Sequence, residues 1–596
     1  MTPQIRTFAA GIVIGVALQA AGPLSAAPNA AVEGVTDGGL RGQIELAIGE
    51  AKASPRSALE ARRRAVDAAR DAIALLRSEG YYEGTATPDI AKLPTIRSVV
   101  RVAAGRRFKL APATIDWALT PPDAEAEAAA LSALHLPAGA PGRAADVLAG
   151  EGSAIATLKR RGYADAEVRP REVIVDHADA TVKPTFRIAA GDRVKLGSIR
   201  RLGKDRTRES WIARLAPWKA GDFYDPNLLA EMEKRLLDTG VYDAATVALA
   251  PADGPKGDPR SVTVSLIGRP RRALELGAGY STTEGSGVDG KWTFYNRLGR
   301  GDSLTLTAKL YDIQQKLDLE QDLPHWLRAG QTLKIGGGFL GDRTPAYDDI
   351  GGGLRLDVIR KFNPTNLVSV GGSVDFASTR EKVAVNLLAT PIGQDLKLLI
   401  VTTRVAFALD RTNSILDPSR GWRLEAEADP TLIEGDRSLG YLRSQVQLSG
   451  YLPLGRGFPV VAARVKVGSI LGGSIPEVPA DRRFYAGGGG SVRGYAYQAV
   501  GPRLSDNTPQ GGLSVTEGSV ELRQRVSRNW GVVAFADVGT IGASASPTYD
   551  GLAVGVGAGI RYDLGFGPLR LDIATPINSR RGDSPVQVYI SIGQAF

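Results

Sequence analysis

One glycine-rich stretch carries the residues with the clearest chemical purpose: RRFYAGGGGSVRGY, at Arg482–Tyr495. Four consecutive glycines lead into Val492, Arg493, Gly494 and Tyr495, inside a long connection between two strand-like runs. A glycine run lets the backbone fold tightly where side chains would clash. An arginine that follows such a run and is flanked by tyrosines indicates that its guanidinium binds a fixed polar partner and is not left in water. The chemistry that this stretch predicts is charge-assisted binding.

Other motifs in the chain do not favour an enzymatic site. Gly285–Gly290 and Gly336–Gly341 fit the dinucleotide pattern GxGxxG, but neither opens a helix in a βαβ unit. Gly489–Arg493 begins like the nucleophile pattern GxSxG and departs from it at its last residue. The histidines lack the ligand spacing of a zinc site: His135, His177 and His325. We therefore predict no enzymatic activity, no cofactor and no metal.

Composition and the N-terminus predict an exported chain without a nucleic-acid partner. The 596 residues carry a net charge of +9, but basic and acidic residues are interspersed, and no basic tract resembles a nucleic-acid arm. The absence of cysteine excludes disulfides and thiolate metal sites. Residues 1–27 are predicted to be a signal peptide, because Arg6 precedes the short apolar run Phe8–Ala21 and small residues follow. No later window offers ~20 uncharged apolar residues, so no transmembrane helix is expected in the mature chain.

The rest of the chain divides into two halves with different periodicity. Residues 30–268 show helical spacing, whereas residues 272–596 are glycine-rich and have a period of two. In the first half, three helix-like segments end in a glycine with a tyrosine close behind it, at Gly80, Gly162 and Gly240. These glycines stand about 80 residues apart, which is a small-domain repeat and longer than a solenoid repeat. We assign the repeats to residues 30–106, 107–190 and 191–268, of which the first is the most divergent.

The third repeat has the clearest pattern. Asp225 is predicted to cap a helix that starts at Pro226, and Gly240 suits the left-handed residue after that helix. The helix has a buried apolar stripe at Leu229, Met232 and Leu236. With the neighbouring runs, the predicted order is strand, two helices and two strands. Such a unit is an α+β fold with its helices on one face of a small sheet.

The second half is predicted to form about sixteen antiparallel strands separated by turn signals. One face of each strand is apolar and the other often carries charge; Val520 and Leu522, for example, alternate with Glu521. Alternation with an apolar outside and a polar lumen is typical of a transmembrane β-barrel. We therefore predict an all-β barrel over residues 272–596, with a long loop at about residues 472–512.

These features resemble the BamA/TamA superfamily of outer-membrane insertases with POTRA domains. Arg482–Tyr495 is similar to its sixth extracellular loop, with the VRGY tip, and Phe535–Gly539 is similar to its FxDxG strand motif. Asp410–Trp422 and Gly557–Pro576 also match, and the chain ends in Phe596, as the assembly signal of the family does. The three repeats and their endings GYY and GY are most similar to the TamA-like branch. The resemblance implies an outer-membrane barrel in a Gram-negative bacterium, with the POTRA repeats in the periplasm.

The resemblance also implies a lock inside the barrel. The loop arginine of the family maps onto Arg493, next to Gly494 and Tyr495, and its acidic partners map onto Glu521 and Asp537. Strand alternation supports both carboxylates independently, because their apolar neighbours face the lipid. Losing one partner would leave a buried charge, at a cost of ~3–5 kcal/mol. Two interpretations stay open: the arginine braces the barrel, or it moves and acts directly during function.

The mechanism implied by the resemblance requires a seam between the first and last strands. These strands are predicted at Arg272–Thr282 and Pro585–Phe596, and Gly277, Gly279 and Gly593 weaken them. An open seam would let a client strand pair along its edge and then leave sideways into the bilayer. The implied partners are the lipid bilayer, unfolded outer-membrane protein or autotransporter clients, and a TamB-like protein anchored in the inner membrane.

Three alternatives stay open. A two-partner-secretion-type transporter should have a secreted partner encoded nearby. A general BamA-like insertase would share the fold and differ in its clients. A passive porin, from a different functional class, should conduct steadily and work without the N-terminal repeats. The POTRA-like pattern of the third repeat argues against the porin.

Overall fold

The structure is a computed structural model that describes residues 27–596 apart from several short gaps. The gaps are residues 52, 92–95, 253–254, 256, 282–284, 364, 383–394, 456–458, 566–567, 593 and 595. Residues 1–26 of the predicted signal peptide and the predicted seam residue Gly593 therefore lie outside the described residues. No helix within the described ranges is long and apolar enough to cross a membrane.

The first repeat packs two helices on a small sheet of order β2-β5-β4. Its elements are β1 (Ala27–Pro28), β2 (Ala31–Glu33), α1 (Gly38–Ile48), β3 (Glu50–Ala51), α2 (Ala58–Ser78), β4 (Thr85–Ala91) and β5 (Arg97–Ala103). Ser57 caps α2 by accepting a hydrogen bond from the backbone N–H of Glu60 at 3.2 Å. Gly80 follows the helix with φ +91°, in the left-handed region that glycine favours.

The second repeat places β9 between β8 on one side and β6 and β7 on the other. Its elements are β6 (Lys109–Leu110), β7 (Thr114–Trp117), α3 (Ala124–Ala133), α4 (Ala144–Arg160), β8 (Glu167–Asp176) and β9 (Thr181–Ala189). The Gly-Tyr ending has a structural role here, because the hydroxyl of Tyr163 donates to the Asp123 carboxylate at 2.9 Å. Asp123 in turn caps α3 through the N–H of Ala126 at 2.9 Å.

The third repeat has the predicted order of elements. They are β10 (Leu196–Leu202), α5 (Glu209–Arg214), α6 (Pro226–Leu237), β11 (Tyr242–Leu249) and β12 (Arg260–Gly268), with sheet order β10-β12-β11. The Asp225 carboxylate accepts from the N–H of Asn227 at 2.8 Å at the start of α6. Leu229, Met232 and Leu236 are buried, as the helical period predicts.

The described residues between 272 and 592 form one antiparallel sheet of 16 strands, which confirms the predicted fold class. The strands are β13 (Arg272–Ser281), β14 (Gly285–Tyr295), β15 (Ser303–Tyr311), β16 (Gln314–Leu323), β17 (Gln331–Arg343), β18 (Tyr347–Asn363), β19 (Asn366–Glu381), β20 (Asp395–Asp410), β21 (Gly421–Gly435), β22 (Leu439–Pro453), β23 (Val460–Leu471), β24 (Ser514–Arg525), β25 (Trp530–Gly542), β26 (Ala553–Asp563), β27 (Pro568–Pro576) and β28 (Gln587–Ile592). Alternation sets the two faces: Val520 and Leu522 are exposed on the outside, and Glu521 between them is buried inside.

The end of the chain corrects one prediction. The last strand was expected to reach Phe596, but β28 ends at Ile592, and Phe596 lies beyond it. The physical reason is that two arginines of the inner wall, Arg523 and Arg464, attract the last residue. The carbonyl oxygen of Phe596 accepts from Arg523 Nη2 at 3.2 Å, and its ring lies 5.2 Å from the guanidinium carbon of Arg523 and 5.6 Å from that of Arg464.

The third repeat contacts two turns of the sheet, those after β14 and after β16. Asn296 Nδ2 donates to Thr207 Oγ1 at 2.9 Å. His325 bonds on both sides: its Nε2 donates to the carbonyl oxygen of Arg235 at 2.7 Å, and its Nδ1 accepts from the N–H of Gly330 at 3.0 Å. Burial lowers the pKa of His325, which favours the neutral ring that this pair of bonds requires.

Candidate functional site

The connection between β23 and β24, residues 472–513 and hereafter loop 6, folds back against the inner wall of the barrel. Its tip carries Arg493, whose side chain is 1% exposed. The glycine run makes this path possible. Gly487, Gly488 and Gly494 have φ values of +108°, +100° and +100°, which L side chains rarely adopt.

Arg493 meets both carboxylates that the sequence proposes as its partners. Its Nε and Nη2 lie 2.7 and 3.0 Å from the two oxygens of Asp537, a bidentate pair. Its Nη1 lies 2.7 Å from Glu521 Oε1. The backbone N–H of Arg493 also donates to Asp537 at 3.0 Å, so this carboxylate holds the loop by its main chain as well. Both carboxylates are fully buried.

A third carboxylate, which the sequence interpretation did not include, completes the site. Asp572 on β27 lies 3.0 Å from Arg493 Nη1 and is also fully buried. Three further arginines share the carboxylates: Arg523 pairs with Glu521 at 2.7 Å, and Arg561 and Arg570 pair with Asp572 at 2.5 and 3.5 Å. Charges of opposite sign therefore alternate across the wall under loop 6, so that each buried charge has a partner.

The glycine run itself contributes acceptors through its backbone. Arg570 Nη2 donates to the carbonyl oxygen of Gly489 at 2.8 Å, and Arg464 Nη1 donates to that of Gly490 at 3.0 Å. Ser491 adds a side-chain bond, because its hydroxyl donates to Glu517 at 2.8 Å. Wall arginines therefore bind the run through its main chain, where glycine leaves the carbonyl groups accessible.

Glycines on the wall strands make room for the loop tip. A Cβ on Gly555 would lie 1.7 Å from the carbonyl oxygen of Arg493, and one on Gly539 would lie 2.6 Å from Val492 Cγ2. The guanidinium carbon of Arg493 lies 3.4 Å from the centre of the Phe535 ring, in cation–π contact. The tip fits a trough that larger residues on β25 and β26 would fill.

The two residues after Arg493 attach the tip to the last part of the wall. The N–H of Gly494 donates to the hydroxyl of Tyr589 on β28 at 3.0 Å. The hydroxyl of Tyr495 lies 2.7 Å from Asn578 Oδ1, in the connection between β27 and β28. Both predicted tip residues therefore contact the strands nearest to the seam.

Two of the three predicted seam glycines, Gly277 and Gly279, lie among the described residues. On β13, a Cβ on Gly277 would lie 2.8 Å from the Asp289 carboxylate, and Gly279 pairs with Gly287 of β14. The strand order of the sheet begins at β13 and ends at β28, and no register joins these two strands among the described residues. Gly277 and Gly279 thus lie on β13, the strand on one side of the boundary between β13 and β28.

Three residues of this site that the sequence interpretation did not include, Arg570, Asp572 and Tyr589, could have been found from strand alternation. In Leu569–Ile573 the apolar positions alternate with Arg570 and Asp572, and the same rule that turned Glu521 inward turns these two inward. Tyr589 likewise stands between the exposed Val588 and Ile590.

Comparison with known proteins agrees with this architecture. The family model described as Omp85 superfamily domain matches residues 296–596, just over half of the chain. Outer membrane protein assembly factor BamA of Neorickettsia risticii (strain Illinois) is 23% identical over 473 residues, 74% of this chain and 60% of that protein. The protein of the same name from Neisseria meningitidis serogroup B is 24% identical over 489 residues, 73% of this chain and 60% of that protein. The chain thus spans 60% of the length of both curated relatives.

A solved structure shares the fold. The crystal structure of BamA from Haemophilus ducreyi lacking POTRA domains 1-3 superposes with a TM-score of 0.69 at 20% identity. The match covers 82% of this chain and all of that structure. Given these matches, the chain belongs to the Omp85 superfamily, as an outer-membrane β-barrel with periplasmic POTRA repeats.

Proposed function

We propose that this chain is an outer-membrane assembly factor that inserts or translocates client β-barrel or autotransporter proteins through a seam between β13 and β28. The observation that carries the proposal is the gap in pairing. Every other pair of neighbouring strands in the sheet shares a register, whereas none joins β13 to β28 among the described residues. Unpaired strands present backbone donors and acceptors to which a client strand can add.

The repeats support a receiving role before insertion. β8 of the second repeat pairs with β9 along one side, and its residues are almost all exposed. An exposed edge strand can accept an extended segment through main-chain bonds, whatever the sequence of that segment. We further propose that the chain belongs to the TamA-like branch, with a TamB-like periplasmic partner, because it carries three repeats with the endings that resemble that branch.

The seam can be tested with introduced cysteines, since the chain has none of its own. One cysteine replaces Leu274 or Leu276 on β13 and one replaces Val588 or Ile590 on β28, all outward-facing and exposed. The pair that forms a disulfide is then compared in oxidised and reduced cells depleted of the native protein. We expect the oxidised form to lose the assembly of client outer-membrane proteins and the reduced form to regain it.

A matched control places the disulfide away from the seam. Val288 on β14 and Leu310 on β15 are directly paired and face outward, so Val288→Cys with Leu310→Cys should leave assembly unchanged. If the seam-locked protein assembles clients as well as this control does, lateral opening is wrong for this protein. Loss of one dedicated secreted protein, with other outer-membrane proteins unaffected, would instead support a two-partner-secretion-type transporter.

A further inference from the structure

A tyrosine hydroxyl fastens the last strand to loop 6 from inside the barrel. Tyr589 lies in the middle of β28 and is 2% exposed. Its hydroxyl accepts from the N–H of Gly494 at 3.0 Å and donates to the carbonyl oxygen of Tyr495 at 2.8 Å. A hydroxyl can accept and donate at the same time, so one side chain bonds both residues that follow Arg493.

The place of this bond in the sheet gives it a mechanical consequence. β28 shares a register with β27 from Leu569↔Ile592 to Ala574↔Gln587, and the described residues of β13 offer no matching register on its other side. The neighbours of Tyr589 on the strand, Val588 and Ile590, are exposed on the outer face. The hydrogen bonds of the Tyr589 hydroxyl therefore attach β28 to loop 6 without any contribution from the first strand, β13.

The same bond joins the strand to the arginine site. Tyr589 is the register partner of Asp572 on β27, which pairs with Arg493 at 3.0 Å. The ring of Tyr589 packs in a buried cluster with Phe535 and Ala574. Removing the hydroxyl alone would leave this packing intact, so the ring and the hydroxyl can be separated by experiment.

We propose that Tyr589 is a positioning residue that couples the docked tip of loop 6 to the last strand. The middle of β28 can separate outward only after its hydroxyl releases the backbone of Gly494 and Tyr495. Loop 6 in its docked position thus holds the seam strand inward, and release of the tip frees it. The purpose of this coupling rests on the proposed function, whereas the coupling itself can be measured without any client.

The test is hydrogen–deuterium exchange on the purified full chain in lipid nanodiscs, for Tyr589→Phe and for the native protein. Loss of the hydroxyl removes one buried acceptor and one donor, and we expect the amides of β28 to exchange roughly five- to tenfold faster. The amides of β24 and β25 should keep their rate, because the bonds of Arg493 are untouched. A general loss of packing would instead speed exchange in all these strands.

Tyr451→Phe is the matched control. Tyr451 is a buried tyrosine on β22, and its hydroxyl forms no hydrogen bond with the tip of loop 6 or with β28 within the described part of the chain. Its replacement should leave the exchange of β28 unchanged. Unchanged exchange in Tyr589→Phe, or equal acceleration in the control, would overturn the coupling. A Tyr589→Phe chain that forms no heat-resistant barrel would overturn it too, because the hydroxyl would then be needed for folding.

Failure of the coupling and failure of the proposed function give different results. If exchange is faster in Tyr589→Phe but the seam-locked protein still assembles clients, the proposed coupling is supported and lateral insertion is rejected. Unchanged exchange, with assembly lost in the seam-locked protein, would reject the coupling and keep insertion.

Discussion

Two arginine clusters line the inside of this barrel with similar geometry and different access to water. Under loop 6, Arg493 binds Asp537 at 2.7 and 3.0 Å, and its side chain is 1% exposed. In the second cluster, Arg355 of β18 binds Asp318 at 2.6 and 2.7 Å; the side chain of Arg355 is 30% exposed and that of Asp318 is 9% exposed. The second cluster lines an open cavity of about 380 Å³.

The two clusters share the geometry of their ion pairs and differ in how far they are buried, so the effects of geometry and burial can be compared. Both arginines make bidentate pairs, and strand alternation turns both inward. Only the cluster under loop 6 is shut off from water, where an unpaired charge is far more costly than at a wet surface. That cluster must therefore be complete to be stable, which suits a lock. Water and salt can screen the charges of the open cluster, so we expect it to depend less on any single charge.

The largest effect is expected from Arg493→Ala. The substitution leaves Glu521, Asp537 and Asp572 with one positive partner fewer in a buried site, which should cost ~3–5 kcal/mol of folding free energy. When samples are heated to a series of temperatures before electrophoresis, the folded band should disappear at a clearly lower temperature than for the native barrel. Unchanged heat resistance would show that the buried cluster does not hold the loop and would remove the contrast between the two clusters.

An intermediate effect is expected from Gly555→Ala, which tests the fit of the loop and leaves the charges alone. The added Cβ would lie 1.7 Å from the carbonyl oxygen of Arg493, so the tip must shift at a cost of about 1–3 kcal/mol. Protease accessibility of loop 6 should rise with the loss of heat resistance. Gly450→Ala on β22 is the control, because a Cβ there meets no atom within 4 Å. Equal behaviour of both variants would contradict the close fit.

Much of this site follows from alternation in the sequence, and the rest depends on the path of the loop. Alternation turns Glu521 and Asp537 inward, and the same rule applied to β27 turns Asp572 inward. Residue type cannot show that Arg464 and Arg570 bind carbonyl oxygens of the glycine run, because a backbone acceptor is the same in every residue. The inward turn of Phe596 was missed for a related reason: its partners lie on distant strands, among them Arg523 of β24.

The smallest effect is expected from Arg355→Ala in the open cluster. Its partners Asp318 and Glu320 keep other cations within reach, Lys316 at 3.7 Å and Lys334 at 2.7 Å, and water can solvate what is lost. We therefore expect a loss of about 0.2–1 kcal/mol, measured as a small drop in the same heat-resistance series. Added salt should shrink that drop further, since it screens exposed charges and leaves buried ones almost untouched. A loss as large as that of Arg493→Ala would mean that bidentate geometry, rather than burial under loop 6, decides how strongly this barrel depends on an arginine.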